Sequence, residues 1–328
     1  MLVRKNMNIL YQADDNYATM LGVSLTSLLE NNKASEEINV YIIDGGISTD
    51  NRNKIDKTIE KYNRQVRYIK VDELDALLEA MGAKKYRGSY MTFYKLYVRE
   101  LLPKDIDKIL YIDCDTCVGN IESIFDIDIS DYQLAMAQDL FLYDYKKKFG
   151  YAKDEPIYLA GVILFNYGYW EKNGYDKKLD DFINKVDMQE MDKHEQDILN
   201  LAFRGNIYEL PMRYNMVSVV KAASLDSYYA VYKKVMLIPK ETMAVELENA
   251  CIYHFLQFVG KMPCHKGNIH PYNEMYHNYK RMSLWKDDED TEKSESLMIF
   301  MERIAYYILP RRLFLYIFKL AHDITKEV

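Results

Sequence analysis

The sequence predicts an α/β protein, a parallel central sheet with helices on both faces, followed by a C-terminal helical appendage. Three observations carry this. Strand-like apolar runs at 8–13, 38–43 and 66–71 alternate with helix-periodic segments, and such alternation implies parallel strands joined by helical crossovers. The run Lys108-Ile-Leu-Tyr-Ile-Asp113-Cys114-Asp115 ends on two carboxylates one residue apart, at the strand end where open α/β sheets collect their ligands. A strongly charged stretch at 286–295 then precedes two apolar-aromatic helices broken at Pro310.

In chain order, the first strand leads through Asp14-Asp15-Asn16-Tyr17 into a helix containing Leu21, Leu25, Leu28 and Leu29, a strand-turn-helix opening. Residues 49–62 form a second helix opened by Ser48 or Thr49. A loop rich in Gly, Lys and Arg precedes a helix at 91–103 that stops at Pro103 and feeds the carboxylate strand. Further strands are expected at 132–138 and 158–166, and a helix at 194–203. Residues 286–295 read as a solvated linker. Beyond it Leu313, Ile317, Leu320 and Ile324 share a helical face, suited equally to packing on the main domain and, with Arg303, Arg311, Arg312 and Lys319 nearby, to lying in a membrane interface.

At 328 residues, with 49% hydrophobic and 28% charged, the chain is large enough to bury most of its apolar surface. A net charge of -7 argues against a nucleic-acid partner, which calls for a basic excess. Four cysteines and no apolar leader suggest a reducing, cytoplasmic setting, and no apolar run approaches the ~20 residues of a membrane span. Thirty tyrosines are expected mostly in the core with their polar tips bonded, although sugar clefts also use aromatic platforms. The sequence indicates no oligomeric state.

Paired carboxylates at a strand end suit a hard divalent cation bridging an anionic ligand such as phosphate. Alone, the same residues also suit a solvated, self-capping loop. Cys114-x-x-Cys117 with Cys251-x-x-His254 has zinc-like local spacing. A phosphohydrolase of the haloacid-dehalogenase type also places Asp-x-Asp after a strand, but Thr116 directly after Asp115 and the motif's position a third of the way along disfavour it. No G-x-G-x-x-G follows the first strand and no Walker loop occurs, so a phosphate would depend on metal and side chains.

Taken in order, the landmarks resemble glycosyltransferase family 8, the retaining nucleotide-sugar transferases that include galactosyl- and glucosyltransferases of bacterial surface glycans. The resemblance spans roughly residues 8–266. It rests on Ala13-Asp14-Asp15-Asn16-Tyr17-Ala18, Glu100-Leu-Leu-Pro103, Tyr111-Ile-Asp113-Cys114-Asp115, Ala160-Gly161-Val-Ile-Leu-Phe-Asn166, Gln196-Asp197-Ile-Leu-Asn200 and Ile252-Tyr-His254-Phe. It implies a single nucleotide-binding, Rossmann-like domain of the GT-A type with a mostly parallel sheet. Residues 1–280 would form the catalytic, nucleotide-sugar-binding domain, and 281–328 a charged linker with the helical segment.

The resemblance also implies roles. Asp14, Asn16 and Tyr17 match positions that hold uracil and ribose, with Lys95, Cys114, Gly161 and Lys261 also on the donor side. Asp113, Asp115 and His254 match the ligands of a manganese bridging the diphosphate, with magnesium as the alternative. Asp139 matches an acidic residue on the donor sugar, Gln196 the position beside the anomeric carbon, and Glu195 its neighbour. The implied partners are a UDP-hexose donor and a glycan or lipid-linked glycan acceptor. Acceptor loops are expected at 141–158 and 212–235, and the C-terminal helices could add peripheral contact at the inner face of the cell membrane.

Four departures stand out. Lys95 replaces an Arg, Leu159 an Asn before Ala-Gly, and Glu195 an Asp, while the phosphate loop after the His reads Gln257-Phe-Val-Gly260-Lys261-Met-Pro263-Cys264. They bear chiefly on the donor sugar. The expected activity is therefore retaining hexosyl transfer, by same-face attack assisted by the leaving phosphate. The alternatives are a UDP-sugar-binding protein impaired in transfer, and the phosphohydrolase.

Overall fold

A computed structural model describes residues 6–324 apart from 72, 141–142 and 233–236. The central sheet has seven strands, β1 (Asn6–Ala13), β2 (Glu37–Asp44), β3 (Gln65–Ile69), β4 (Lys108–Ile112), β6 (Leu134–Gln138), β7 (Tyr158–Asn166) and β8 (Ile207–Glu209), ordered β3-β2-β1-β4-β7-β6-β8. The pairs β1–β2, β2–β3, β1–β4 and β6–β8 are parallel, whereas β7 runs antiparallel to both β4 and β6. Strand side chains alternate between faces, and both faces are covered. Met7, Ile9, Tyr11, Leu110 and Ile112 lie in one core, and Leu10, Ile43, Ile109 and Tyr111 in the other. Continuous apolar strands follow from burial on both sides.

Three very short strands form a second sheet ordered β5-β10-β9, from β5 (Thr116–Val118), β9 (Met216–Val217) and β10 (Ile252–His254). In it His254 stands opposite Thr116, one residue past Asp115. This small sheet carries the distant histidine to the carboxylate strand.

Two expectations are corrected. Residues 91–103 form two 3-10 segments, Met91–Leu96 and Val98–Leu101, in place of one α-helix. The tighter winding buries four successive side chains, Phe93, Tyr94, Lys95 and Leu96, more than one face of a surface α-helix can. The charged stretch expected to be a solvated linker is pinned to the main body. Lys54 pairs with Asp288 at 3.1 Å and Lys280 with Asp290 at 2.7 Å, Trp285 is fully buried, and the Thr291 N–H donates to the Cys264 carbonyl.

The C-terminal helices Leu297–Ile308 and Arg311–Ile324 attach through Phe314 and Leu315, which are buried, and through the Phe258–Tyr306 ring contact. The face marked by Leu313, Ile317 and Leu320 is exposed, so it does not pack on the main body. The Ile324 side chain lies outside the described residues. Among the described residues no helix is long and apolar enough to cross a membrane.

Candidate active site

The Asp113–Asp115 turn leaves β4 and is held from beneath by a hydroxyl relay. Thr116 Oγ1 donates to the Asp113 carbonyl at 2.9 Å, Ser24 Oγ lies 2.8 Å from Thr116 Oγ1, and the Tyr11 hydroxyl lies 3.1 Å from Ser24. Because a carbonyl can only accept, the relay has one direction, from Tyr11 through Ser24 to Thr116. The Asp113 N–H donates to the Gly161 carbonyl at 2.8 Å, and the Phe255 N–H to the Asp115 carbonyl at 2.7 Å. Both sheets therefore fix the turn.

Asp113, Asp115 and His254 offer ligand atoms within 4.8 Å of one another. His254 Nε2 lies 3.4 Å from Asp115 Oδ1 and 3.9 Å from Asp113 Oδ2. Its Nδ1 lies 2.9 Å from Asn215 Oδ1, and Asn215 Nδ2 donates to the Leu159 carbonyl at 3.4 Å. The amide orientation makes Nδ1 the donor to Asn215 and leaves the Nε2 lone pair facing the carboxylates, the orientation a metal ligand needs. Gly161 supplies the space, since a Cβ there would sit 2.2 Å from His254 Cε1 and 3.1 Å from Asp113 Oδ2. The imidazole is 3% exposed and the two carboxylates 29% and 22%, so the cluster opens on its carboxylate side.

Lys95 lies fully buried beside this cluster, 2.9 Å from Glu195 Oε1, 3.6 Å from Asp113 Oδ1 and over the Tyr111 ring at 4.1 Å. Burial works against its ammonium, but Asp113 and Glu195 outweigh it and the net shift is upward. Burial likewise raises the Glu195 carboxyl, with Lys95 opposing. For His254 burial is outweighed by Asp115 and then Asp113, so its imidazole is held above the ordinary range. The field that draws a proton onto Nε2 also suits a dication. Three carboxylates and one ammonium leave two negative charges, which a divalent ion would neutralise. Space, tautomer and charge all fit such an ion.

Glu195 and Gln196 open the helix Glu195–Ala202, entered through His194 at φ 56°. A non-glycine residue there carries strain of about 1–3 kcal/mol, and its ring is gripped by Tyr86 and Phe93. Gln196 is held at both ends, Oε1 accepting from the Ala160 N–H at 3.1 Å and Nε2 donating to Asp139 Oδ2 at 3.0 Å. Asp14 caps the turn Asp15–Tyr17, its Oδ1 accepting from the Tyr17 N–H and its Oδ2 from Asn16 Nδ2. The Tyr17 hydroxyl accepts from Arg87 Nη1 at 2.6 Å. Lys261 Nζ donates to the Lys266 carbonyl at 2.9 Å.

Of the residues singled out from the sequence, Asp113, Asp115, His254, Gly161, Lys95 and Glu195 form one group and Gln196 pairs with Asp139. Cys114 turns away, its buried Sγ against the Gln12 carbonyl at 3.0 Å. The described cysteines are all free, and none joins the ligand cluster. Sequence reasoning missed Asn215, Tyr111 and Arg87. Tyr111, whose hydroxyl donates to Asp113 Oδ1, could have been found, since residues i and i+2 of a strand share a face. Nothing local marks Asn215. Of the expected acceptor loops, residues 141–142 and 233–235 lie outside the described residues.

Fold and cluster together define a GT-A-like α/β protein with a carboxylate-imidazole site at its strand ends. The chain belongs to glycosyl transferase family 8, whose model matches residues 8–261. It is 28% identical over 287 residues to General stress protein A of Bacillus subtilis (strain 168), covering 85% of this chain and 94% of that one. Lipopolysaccharide 1,2-glucosyltransferase of Escherichia coli (strain K12) is 24% identical over 308 residues, covering 92% and 86%. Among solved structures, galactosyltransferase LgtC in complex with donor and acceptor sugar analogs superposes with a TM-score of 0.68 at 25% identity, covering 85% of this chain and 96% of that one.

Proposed function

We propose that the protein is a metal-dependent, retaining hexosyltransferase that moves galactose or glucose from a UDP-sugar to a hydroxyl of a glycan or lipid-linked glycan. The observation that carries this reading is the convergence of Asp113, Asp115 and His254, its Nε2 turned toward the carboxylates, at the strand ends. Manganese suits this mixed oxygen and imidazole set, with magnesium as the alternative. When bound, the ion supplies Lewis-acid stabilisation of the charge that develops on the leaving diphosphate.

The other roles belong to the chain's own groups. Asp14, Asn16 and Tyr17 receive the nucleoside, and Lys95 holds Asp113 and Glu195 in register. Asp139 orients the donor sugar and keeps the Gln196 amide turned toward it. Gln196 offers no strongly basic nucleophile, because its side chain is a neutral amide, here held by the Ala160 N–H and Asp139. That favours same-face attack, with the leaving phosphate taking the acceptor's proton. Names of similar proteins, a glucosyltransferase and a galactosyltransferase, support a hexose donor. The exposed apolar rows of the two C-terminal helices, with Arg311, Arg312 and Lys319 beside them, support peripheral contact with a membrane.

The test is product formation and UDP release with a panel of UDP-hexoses, with and without manganese. Turnover should occur with one sugar, require the metal and fall to background in Asp113→Ala and Asp115→Ala, both of which should still melt cooperatively. Full activity in both variants would sink the metal assignment. Metal-dependent UDP binding without turnover on any donor would favour the impaired binding protein.

A further inference from the structure

Two tight hairpin turns meet through Arg87, which is near enough to Asp115 to help lower its carboxyl. In the first, Tyr86 and Ser89 exchange backbone hydrogen bonds around Arg87 at φ 49° and Gly88 at φ 86°. In the second, Phe258 and Lys261 do the same around Val259 at φ 46° and Gly260 at φ 70°. Both have the left-handed pair of a type I′ turn, for which glycine and asparagine are the favoured residues. An arginine and a β-branched valine there are strained, and such strain persists where the surroundings enforce it.

The enforcing contacts are cationic. Arg87 reaches the Tyr17 hydroxyl, and Gln257, with its amide oxygen turned toward the cations, accepts from Arg87 Nη2 and from Lys293 Nζ at 3.1 Å. Lys293 also donates to the Gly260 carbonyl at 2.7 Å. It is carried there by the charged strap, which bridges the loop after β10 where His265 pairs with Thr291. Among the described residues, none of Arg87, Lys261 and Lys293 is paired with a carboxylate. The His265 imidazole near them is pushed down to about 4, first by burial and then by the charges of Lys293, Arg87 and Lys261. Three cations gathered on neutral acceptors near the carboxylate-imidazole cluster suit an anionic ligand.

We infer that Arg87 and Lys293, with Lys261, form a clamp for the diphosphate of the donor, so that the strap at 291–293 is part of the binding site. The inference rests on the nucleotide-sugar reading above. Lys293 closes the subsite from the C-terminal side and Arg87 from the side of Tyr17, so that one guanidinium spans the nucleoside turn and the phosphates. The diphosphate replaces Gln257 as the partner of both cations.

Calorimetric titration of the full chain with UDP, inorganic pyrophosphate and uridine, in magnesium, tests this. Lys293→Ala and Arg87→Gln should each weaken UDP and pyrophosphate by about tenfold, leave uridine unchanged, and keep the melting temperature of the unaltered protein. Lys293→Arg should restore most of the loss. Equal pyrophosphate affinity in the unaltered protein and both variants overturns the clamp, as does an equal loss for uridine. Failure of the unaltered protein to bind UDP while it binds pyrophosphate would instead overturn the nucleotide reading and leave the clamp supported.

Discussion

At the scale of single residues, the candidate site depends as much on what is missing as on what is present. Gly161 has no functional group, yet a methyl there would occupy the place of the His254 ring. Gly161→Ala should therefore displace the imidazole and weaken manganese binding by about 10–100-fold, the range seen when a ligand's orientation is lost, without exposing new charge. Manganese electron paramagnetic resonance titration reads this directly, and unchanged affinity would show that the histidine is not a ligand. Asp113 and Asp115 were legible in the sequence because their spacing is local, whereas His254, far along the chain, was legible only through the resemblance carried by Ile252-Tyr-His254-Phe. Asn215, which sets the tautomer of His254, was not, because an asparagine after a tyrosine announces nothing until the fold places it.

At the scale of elements, six strands of the main sheet were readable from apolar runs, whereas the three-residue β8 and the second sheet were not. Two- and three-residue strands such as Met216–Val217 and Ile252–His254 carry too little pattern, and their partners lie far away in sequence. The loop that follows them has a measurable signature. His270 is buried with Nε2 against the Leu256 carbonyl at 3.1 Å and Nδ1 accepting from the Tyr272 N–H at 3.2 Å. Both ring nitrogens are thus satisfied only in the neutral form, and burial pushes the imidazole down to about 4 from 6.5. Above pH 6.5 neither state holds the proton. Below it the unfolded chain binds a proton that the folded chain refuses, so stability falls as pH drops toward 4, by about 2 kcal/mol at pH 5. Urea unfolding at pH 7.5 and 5.0 should show this loss, and His270→Gln should shrink it. An identical pH slope in the variant would rule the assignment out.

At the scale of the whole molecule, the charged strap and the helical end are continuous with the catalytic body. A run of like and unlike charges usually means a solvated segment, and only the contacts of Trp285, Asp288, Asp290 and Lys293 reverse that reading. The two terminal helices instead leave apolar rows outward, Leu297, Met301, Ile304 and Ile308 on one and Leu313, Tyr316 and Leu320 on the other, with Leu297 and Ile308 74% and 73% exposed. Full-length protein should sediment with vesicles containing anionic lipid and less with neutral ones. Paired changes Ile304→Ser and Ile308→Ser should cut that binding several-fold, while UDP affinity stays constant. Equal recovery with both vesicle types would oppose a charged membrane surface as the partner.

The small second sheet has one more consequence. It joins residues 116–118 to 252–254, so a ribosome must release more than three-quarters of the chain before the third ligand can meet the first two. On the proposed metal reading a nascent chain would have little affinity for the ion, and a cation taken up afterwards would latch the early and late parts of the polypeptide together. It favours only the finished state, so the melting temperature should climb with the logarithm of free ion concentration.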